Sequence, residues 1–399
     1  MKAGWLKKNI ADIANVQSGS GFPEKFQGLL DQKIPFYKVS DMNLAGNEIE
    51  MVYANNTISE EVRKQLRAPI IAKGSVIFPK IGGAIATNKK RLTTVDCCVD
   101  NNVMGVSPKE GIVSSDFLFY FFSSYNLSDF ANDAHLPSIK KSVLDGWEIH
   151  VPPIQEQQRI VAILDEAFEQ IAIARANTEK NLKNARTLFE SHLQSVFTNY
   201  GEDWLHTTIG AHIKFIDYRG KTPEKTNSGL RLITAKNVKM GYLQETPKEF
   251  VAPEAYNDWM TRGIPRLGDV LFTTEAPLAN VAQLDTNEKV VFAQRIIIMQ
   301  PDVTKLNSTF LKYLLLSQPI QKRIHDKGTG ATVKGIKASL LKLIDISFPK
   351  SLTVQEEHVA KFDALAKETQ RLESLYQRKL TALDELKKSL LHKAFSGEL

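Results

Sequence analysis

Two stretches of the chain carry an unusually regular pattern of apolar and polar positions. From Ile160 the apolar or small residues run Leu164, Ala167, Ile171, Ala174, Thr178, Leu182, Ala185, Phe189 and Val196. These spacings alternate close to 3 and 4, the period that keeps one stripe of a helix against a partner helix. From Phe362 the pattern recurs through Leu365, Thr369, Leu372, Tyr376, Leu380, Leu383, Leu390 and Ala394, with Glu, Lys, Arg and Gln on the other faces. Each stretch predicts a helix of about 40 residues, roughly 60 Å long at 1.5 Å per residue. Pro153 suits a first helical turn, Thr353 with Glu356 suggests a capping box, and Gly201 and Gly397 stand just past the ends. Neither stripe is stable in water, so the simplest burial is an antiparallel pair, with Ala174 at the level of Tyr376. A long hairpin or a coil between two copies are the other ways to bury it.

Outside these stretches the chain repeats itself at a period of about 200 residues. Trp5-Leu6 is answered by Trp204-Leu205, Lys73 to Phe78 by Arg266 to Phe272, Phe117 to Tyr120 by Phe310 to Tyr313, and Ser138 to Leu144 by Gly335 to Leu341. Each copy closes on proline, Pro152-Pro153 or Pro349, before Gln155-Glu156 or Gln355-Glu356. Within the copies, β-branched and aromatic runs separated by Gly, Pro and Asn predict strands at Ile34 to Val39, Ser75 to Phe78, Asn102 to Val106, Arg231 to Thr234, Asp269 to Phe272 and Val290 to Met299. Helices are expected at Asp116 to Asn126 and Ser308 to His325. The fold class is therefore α+β: two similar, strand-rich mixed domains, 1–151 and 201–350, with a central helix at 152–200 and a distal helix at 351–399. A pseudo-two-fold arrangement on an antiparallel intramolecular coiled coil follows.

Composition narrows the partners. The formal net charge is +6, and residues 201–350 alone carry about +6, so the excess sits in the second domain. That suits a polyanion. No apolar run approaches the roughly 20 residues of a membrane crossing, and Met1 to Ala14 has no secretory pattern, which points to the cytoplasm. The adjacent Cys97 and Cys98 are poorly placed for an ordinary disulfide and lack zinc-ligand company, so buried reduced thiols are expected.

A search for catalytic chemistry finds none. Gly328 to Gly335 has the wrong spacing for a phosphate-binding Walker loop, Gly19-Ser20-Gly21 is too short for a dinucleotide fingerprint, and the histidines form no metal motif. Asp384, Glu385 and Lys387 superficially resemble a nuclease triad but fall on the distal helix, where a solvated face is expected. Each domain does offer a polar, basic loop suited to phosphates and base edges. The first has Lys80, Asn88, Lys89, Lys90, Arg91, Asn101, Asn102 and Lys140. The second has Arg219, Lys221, Lys236, Asn237, Lys239, Thr273, Thr274, Gln294, Arg295, Lys334 and Lys337.

With these residues in view, the chain resembles the specificity subunits of type I restriction-modification systems over essentially its full length. The resemblance is carried by Gly220 to Pro223, Ile233 to Lys239, Gly268 to Pro277, Phe78 to Gly82, Pro152 to Gln157 and the ending Leu390 to Leu399. It implies two target recognition domains, each reading half of a bipartite double-stranded DNA site, with the helices as a ruler between them. It also implies two methyltransferase subunits and, beyond them, restriction or motor subunits as partners. S-adenosylmethionine, ATP and Mg2+ would be bound by those partners, leaving this chain without cofactor or catalytic residues. A stand-alone DNA-binding scaffold or regulator with the same architecture is the alternative.

Overall fold

The computed structural model describes residues 4–218, 222–293, 295–330 and 332–399. Contacts divide it into two compact units, Met1–Thr178 with Lys379–Leu399, and Glu179–Arg378. Each unit therefore holds one of the two repeated domains, one segment of the first long helix (Ile154–Thr198) and one segment of the second (Leu352–Ser396).

The domains share one plan. In the first unit a five-stranded sheet runs in the order Ala14–Ser18, Val103–Pro108, Val76–Pro79, Arg91–Thr93, Glu50–Met51. In the second unit the order is Ile213–Asp217, Ile296–Pro301, Val270–Thr273, Val281–Gln283. A three-stranded sheet accompanies each, with its middle strand, Ile34–Tyr37 or Leu230–Ile233, pairing parallel to Cys98–Val99 or Val290–Phe292. Chain entry and exit close on one another as an antiparallel pair, Leu6 opposite Val151 and Leu205 opposite Phe348.

The central strands are uninterrupted apolar runs because both faces are covered, unlike a sheet with one wet face. Val76 and Phe78 point into a cluster with the helix Ser115–Ser124, while Ile77 joins Tyr37, Met51 and Val99 on the other side. Val270 and Phe272, against Leu271, divide in the same way. The expected strand at Val290 to Met299 is two, Val290–Phe292 and Ile296–Pro301, belonging to different sheets. The expected helix at Ser308 to His325 is likewise two, because the chain turns extended at Ser317 and Pro319 opens a new first turn. Both cysteines are buried and free, and burial pushes the Cys98 thiol up to about 11.

The long helices run antiparallel within each unit. In the first, the Arg159 guanidinium donates to the Leu399 carbonyl at 2.7 Å and Arg175 pairs with Asp384, while Ile160, Leu164, Leu391 and Ala394 share one core. In the second, Arg186 pairs with Glu373, and Leu193, Phe197 and Phe362 are buried together. Ala174 therefore faces the level of Asp384, not Tyr376 as the spacing alone suggested. The ion pairs are exposed, so each contributes at most about 1 kcal/mol and the apolar seam supplies the adhesion. Thr353 lies inside the first turn rather than at the cap, because the helix already begins at Leu352. Gly397 follows the helix end with φ +82°, the left-handed stop that glycine adopts without strain.

Candidate nucleic-acid interface

The end of each main sheet is built on one repeated backbone frame. In the first domain the Lys80 amide donates to the Asn102 carbonyl at 2.8 Å, and the Ile139 amide donates to the Lys80 carbonyl at 2.8 Å. Ile81 and Ser138 form the adjoining bridge. In the second domain the Thr274 amide donates to the Arg295 carbonyl at 2.8 Å, the Ile336 amide donates to the Thr274 carbonyl at 2.9 Å, and Glu275 bridges Gly335. Lys80 thus corresponds to Thr274, Asn102 to Arg295, and Lys140 to Lys337. Residues distant in sequence are gathered by three chain crossings at one sheet end.

The side chains on that frame differ between the domains. Lys80 is half-buried, donates to Ser18 Oγ at 3.0 Å, and its pKa is lowered by burial, opposed by Asp100. Asn101, Asn102 and Lys140 are exposed beside it. In the second domain Arg295, Lys334 and Lys337 are exposed, and Arg295 is 3.0 Å from Glu275. Arg295 (φ +78°), Ala276 (φ +48°) and Ala279 (φ +68°) all adopt the left-handed conformation that L-residues avoid at a cost of roughly 1–2 kcal/mol each. Thr273 over-determines that loop, donating to the Pro277 carbonyl at 2.6 Å and accepting from the Asn280 amide at 2.9 Å. Concentrated strain of this kind is found where backbone is shaped for a ligand.

Other expected contacts are placed differently. Thr273 (0% exposed), Thr274 (3%) and Asn237 (1%) are buried, with hydrogen bonds directed inward. Asn237 accepts from Thr234 and donates to the Gln244 and Pro247 carbonyls, organising the loop that leaves Lys236 exposed and Lys239 partly so. Lys90, 6% exposed, donates to Asn88 Oδ1 at 2.6 Å and the Tyr125 carbonyl at 2.8 Å. Lys89 bonds Asn43, and Arg91 donates to the Lys90 and Met42 carbonyls. Asn88, Lys90 and Arg91 line a cleft of about 870 Å3 that also contains Glu48, Glu50, Asp116, Asp165 and Glu169. Burial, together with Asp165 and Glu50, raises the Asp116 pKa. Five carboxylates outnumber the three cations Lys90, Arg91 and Lys387 there and oppose a phosphate, so this part of the expected basic loop is set apart from Lys80. Arg219, Lys221 and Gln294 lie outside the described residues.

The expected contacts did not include Ser18, which enters through the side-chain hydrogen bond from Lys80, or Glu275 and Gly335, which enter by bridging each other. The Gly328 to Gly335 loop closes on itself: Thr329 and Gly335 exchange backbone hydrogen bonds of 2.8 and 2.9 Å. Among the described residues no group of three or more His, Cys, Asp or Glu side chains is arranged to hold a metal ion, and no helix is long and apolar enough to cross a membrane.

The buried Lys90 makes a pH prediction. Burial lowers its pKa from 10.5 to about 8, so between pH 8 and 10.5 the unfolded chain binds more protons than the folded one. Stability contributed by this group should rise with pH across that window, and below pH 8 the desolvation cost is present in full. The Tm difference between native chain and Lys90→Met, measured by calorimetry from pH 7.5 to 10, should move in favour of the native chain as pH rises. A difference flat with pH would count against the buried ammonium.

Comparison with known proteins matches this architecture. Residues 2–184 and 261–381 match the family model described as the type I restriction modification DNA specificity domain. The type I restriction enzyme MjaIX specificity subunit of Methanocaldococcus jannaschii is 22% identical over 419 aligned positions, covering 99% of this chain and 93% of the relative. The EcoBI specificity subunit of Escherichia coli is 20% identical, covering 99% of this chain and 86% of its own length. Among solved structures, a chain from work on complex assembly and conformational transition of the type I R-M system superposes with a TM-score of 0.79 at 18% identity, covering 100% of this chain and 99% of that one. The HsdS subunit from Thermoanaerobacter tengcongensis gives 0.61 at 19% identity, covering 100% and 98%.

Proposed function

Because the chain belongs to the family of type I restriction-modification DNA specificity domains, whose model matches well over half of it, we propose that it reads a bipartite DNA target whose two halves differ in sequence. One observation carries this reading: the same backbone frame is built twice, with a lysine common to both (Lys140 or Lys337), but carries Lys80 and the exposed Asn102 in one domain and the buried Thr274 and the exposed Arg295 in the other. Equal frames with unequal side chains are two readers of the same kind with different base preferences. Arginine beside a carboxylate can approach guanine O6 and N7 in a bidentate fashion, with Glu275 able to accept from cytosine N4. The exposed lysines supply phosphate contacts that position without reading.

In this reading the chain works in the cytoplasm as the non-catalytic part of a larger enzyme. It docks two modification subunits, which bring S-adenosylmethionine, and through them motor subunits that bring ATP and Mg2+. The two long helices set the separation of the half-sites. The test is reconstitution followed by methylome sequencing: the purified chain alone should neither methylate nor cut DNA, and addition of its modification subunits should yield methylation at one bipartite motif. Methylation or cleavage by the chain alone would overturn the assignment. Stable DNA binding with no modification subunit ever retained would favour a stand-alone scaffold.

A further inference from the structure

Each recognition domain is fastened to its long helix by the same pair of polar clamps. Gln157, fully buried, accepts from the Ser114 amide at 2.9 Å and donates to the Ile112 and Pro152 carbonyls, each at 2.9 Å. Gln355, also fully buried, accepts from the Asn307 amide at 2.8 Å and donates to the Lys305 and Pro349 carbonyls at 2.8 and 2.7 Å. The hydrogen bonds align Gln157 with Gln355, although the sequence repeat set Gln155 against Gln355; the second copy has one residue more between Pro349 and Gln355 than the first has between Pro152 and Gln157. Eight residues further along the helix, Asp165 accepts from the Tyr120 hydroxyl and Asp363 from the Tyr313 hydroxyl.

The groups gripped are not arbitrary. Ser114 and Asn307 are the N-cap residues of the helices Ser115–Ser124 and Ser308–Leu316, and Tyr120 and Tyr313 lie on those same helices. Each short helix is thus held at its start and again at a tyrosine whose acceptor stands about 12 Å along the long helix from the glutamine. Two separated points fix an angle, which one point cannot. A glutamine is suited to the first point because its amide offers one acceptor and two donors, and all three are used. Adhesion alone needs only the apolar core already present around Leu164 and Phe362, whereas directional hydrogen bonds specify a single orientation.

We propose that Gln157 with the Tyr120–Asp165 pair, and Gln355 with the Tyr313–Asp363 pair, are positioning residues that set the angle at which each recognition domain presents its reading edge, and hence the spacer length the assembled enzyme accepts. This rests on the reading that the helices set half-site separation. Loosening a clamp lets its domain rock on the helix, which shows as tolerance of neighbouring spacers rather than as altered base preference.

The experiment profiles methylation by the complex reconstituted with its modification subunits on a DNA library of random spacer lengths. Gln157→Met and Gln355→Met, near-isosteric but without the three hydrogen bonds, should each raise methylation at spacers one base pair from the native length by roughly tenfold relative to the native spacer, the scale of a lost buried hydrogen bond. Both half-site sequences should stay the same. Tyr120→Phe keeps the ring and is the milder probe should Gln157→Met fail to fold; it should broaden the spacer distribution in the same direction. Asp165→Asn still offers an oxygen to the Tyr120 hydroxyl and should retain the native spacing. Reduced yield or Tm with an unchanged spacer distribution in Gln157→Met and Tyr120→Phe would sink the clamps as positioning devices. A complex carrying a seven-residue insertion in each helix serves as control: if its spacer is unchanged, the helix reading fails and the clamp proposal with it. If its spacer shifts while the clamp variants do not, only the clamp proposal fails.

Discussion

Inserting seven residues after Ala174 and seven after Asp384 should lengthen the spacer of the methylated motif by at most about 3 base pairs and leave both half-site sequences unchanged. The positions follow from the Arg175–Asp384 pair, which puts these two levels of the helices opposite one another within one unit. A seven-residue step preserves the alternation of 3 and 4 along the seam, so the apolar stripe stays continuous, and it adds about 10 Å of helix. That length spans about 3 base pairs at 3.4 Å each. The insertion returns the helix face nearly to its starting direction, whereas 3 base pairs rotate the duplex by about 100°, so the new spacer requires DNA to be twisted and should be methylated more weakly than the native one. Methylation on random-spacer libraries reads the result. Full activity at the old spacing would remove the helices as the determinant of separation.

Substitutions at the repeated frame should separate the two half-sites. Arg295→Lys keeps the charge but loses the planar bidentate fork, so it should relax one base position of the second half-site by about 5- to 150-fold in discrimination, the value of one bidentate base contact, with little change in salt dependence. Lys140→Ala and Lys337→Ala remove exposed cations and should instead weaken binding to all sequences and reduce the slope of log affinity against log salt by about 1 each. Lys80→Ala should act on the first half-site only. Thr274, although it corresponds to Lys80, is buried and bonded to the Arg295 carbonyl, so Thr274→Val should disturb the strained loop and lower Tm before it changes reading. Fluorescence anisotropy with probes degenerate in one half-site at a time distinguishes these outcomes. If all of these substitutions affected both half-sites equally, the two domains would not be independent readers.

The elements legible in the sequence are those fixed by local period and repetition. The heptad stripe from Ile160 and from Phe362 is visible because an amphipathic helix writes its buried face at regular intervals, whatever covers it. The paired domains are visible because Trp5, Phe78 and Phe117 have counterparts in the same order, Trp204, Phe272 and Phe310, at offsets of 193 to 199 residues. The continuous apolar strands are visible because two-sided burial excludes polar residues from them. Tertiary structure decided everything that depends on which groups meet. Only the antiparallel register set Ala174 against Asp384, since a seam with repeating spacing admits several offsets of similar apolar burial. Only the crossings of the chain brought Lys80, Asn102 and Lys140 to one sheet end while turning Lys90 and Arg91 onto main-chain carbonyls beside a carboxylate-lined cleft, because a basic loop in sequence carries no record of which way each side chain turns. Only the fold revealed Gln157 and Gln355 as buried clamps, since glutamine is ordinary on a helix surface and its burial depends on backbone groups more than forty residues away in the chain.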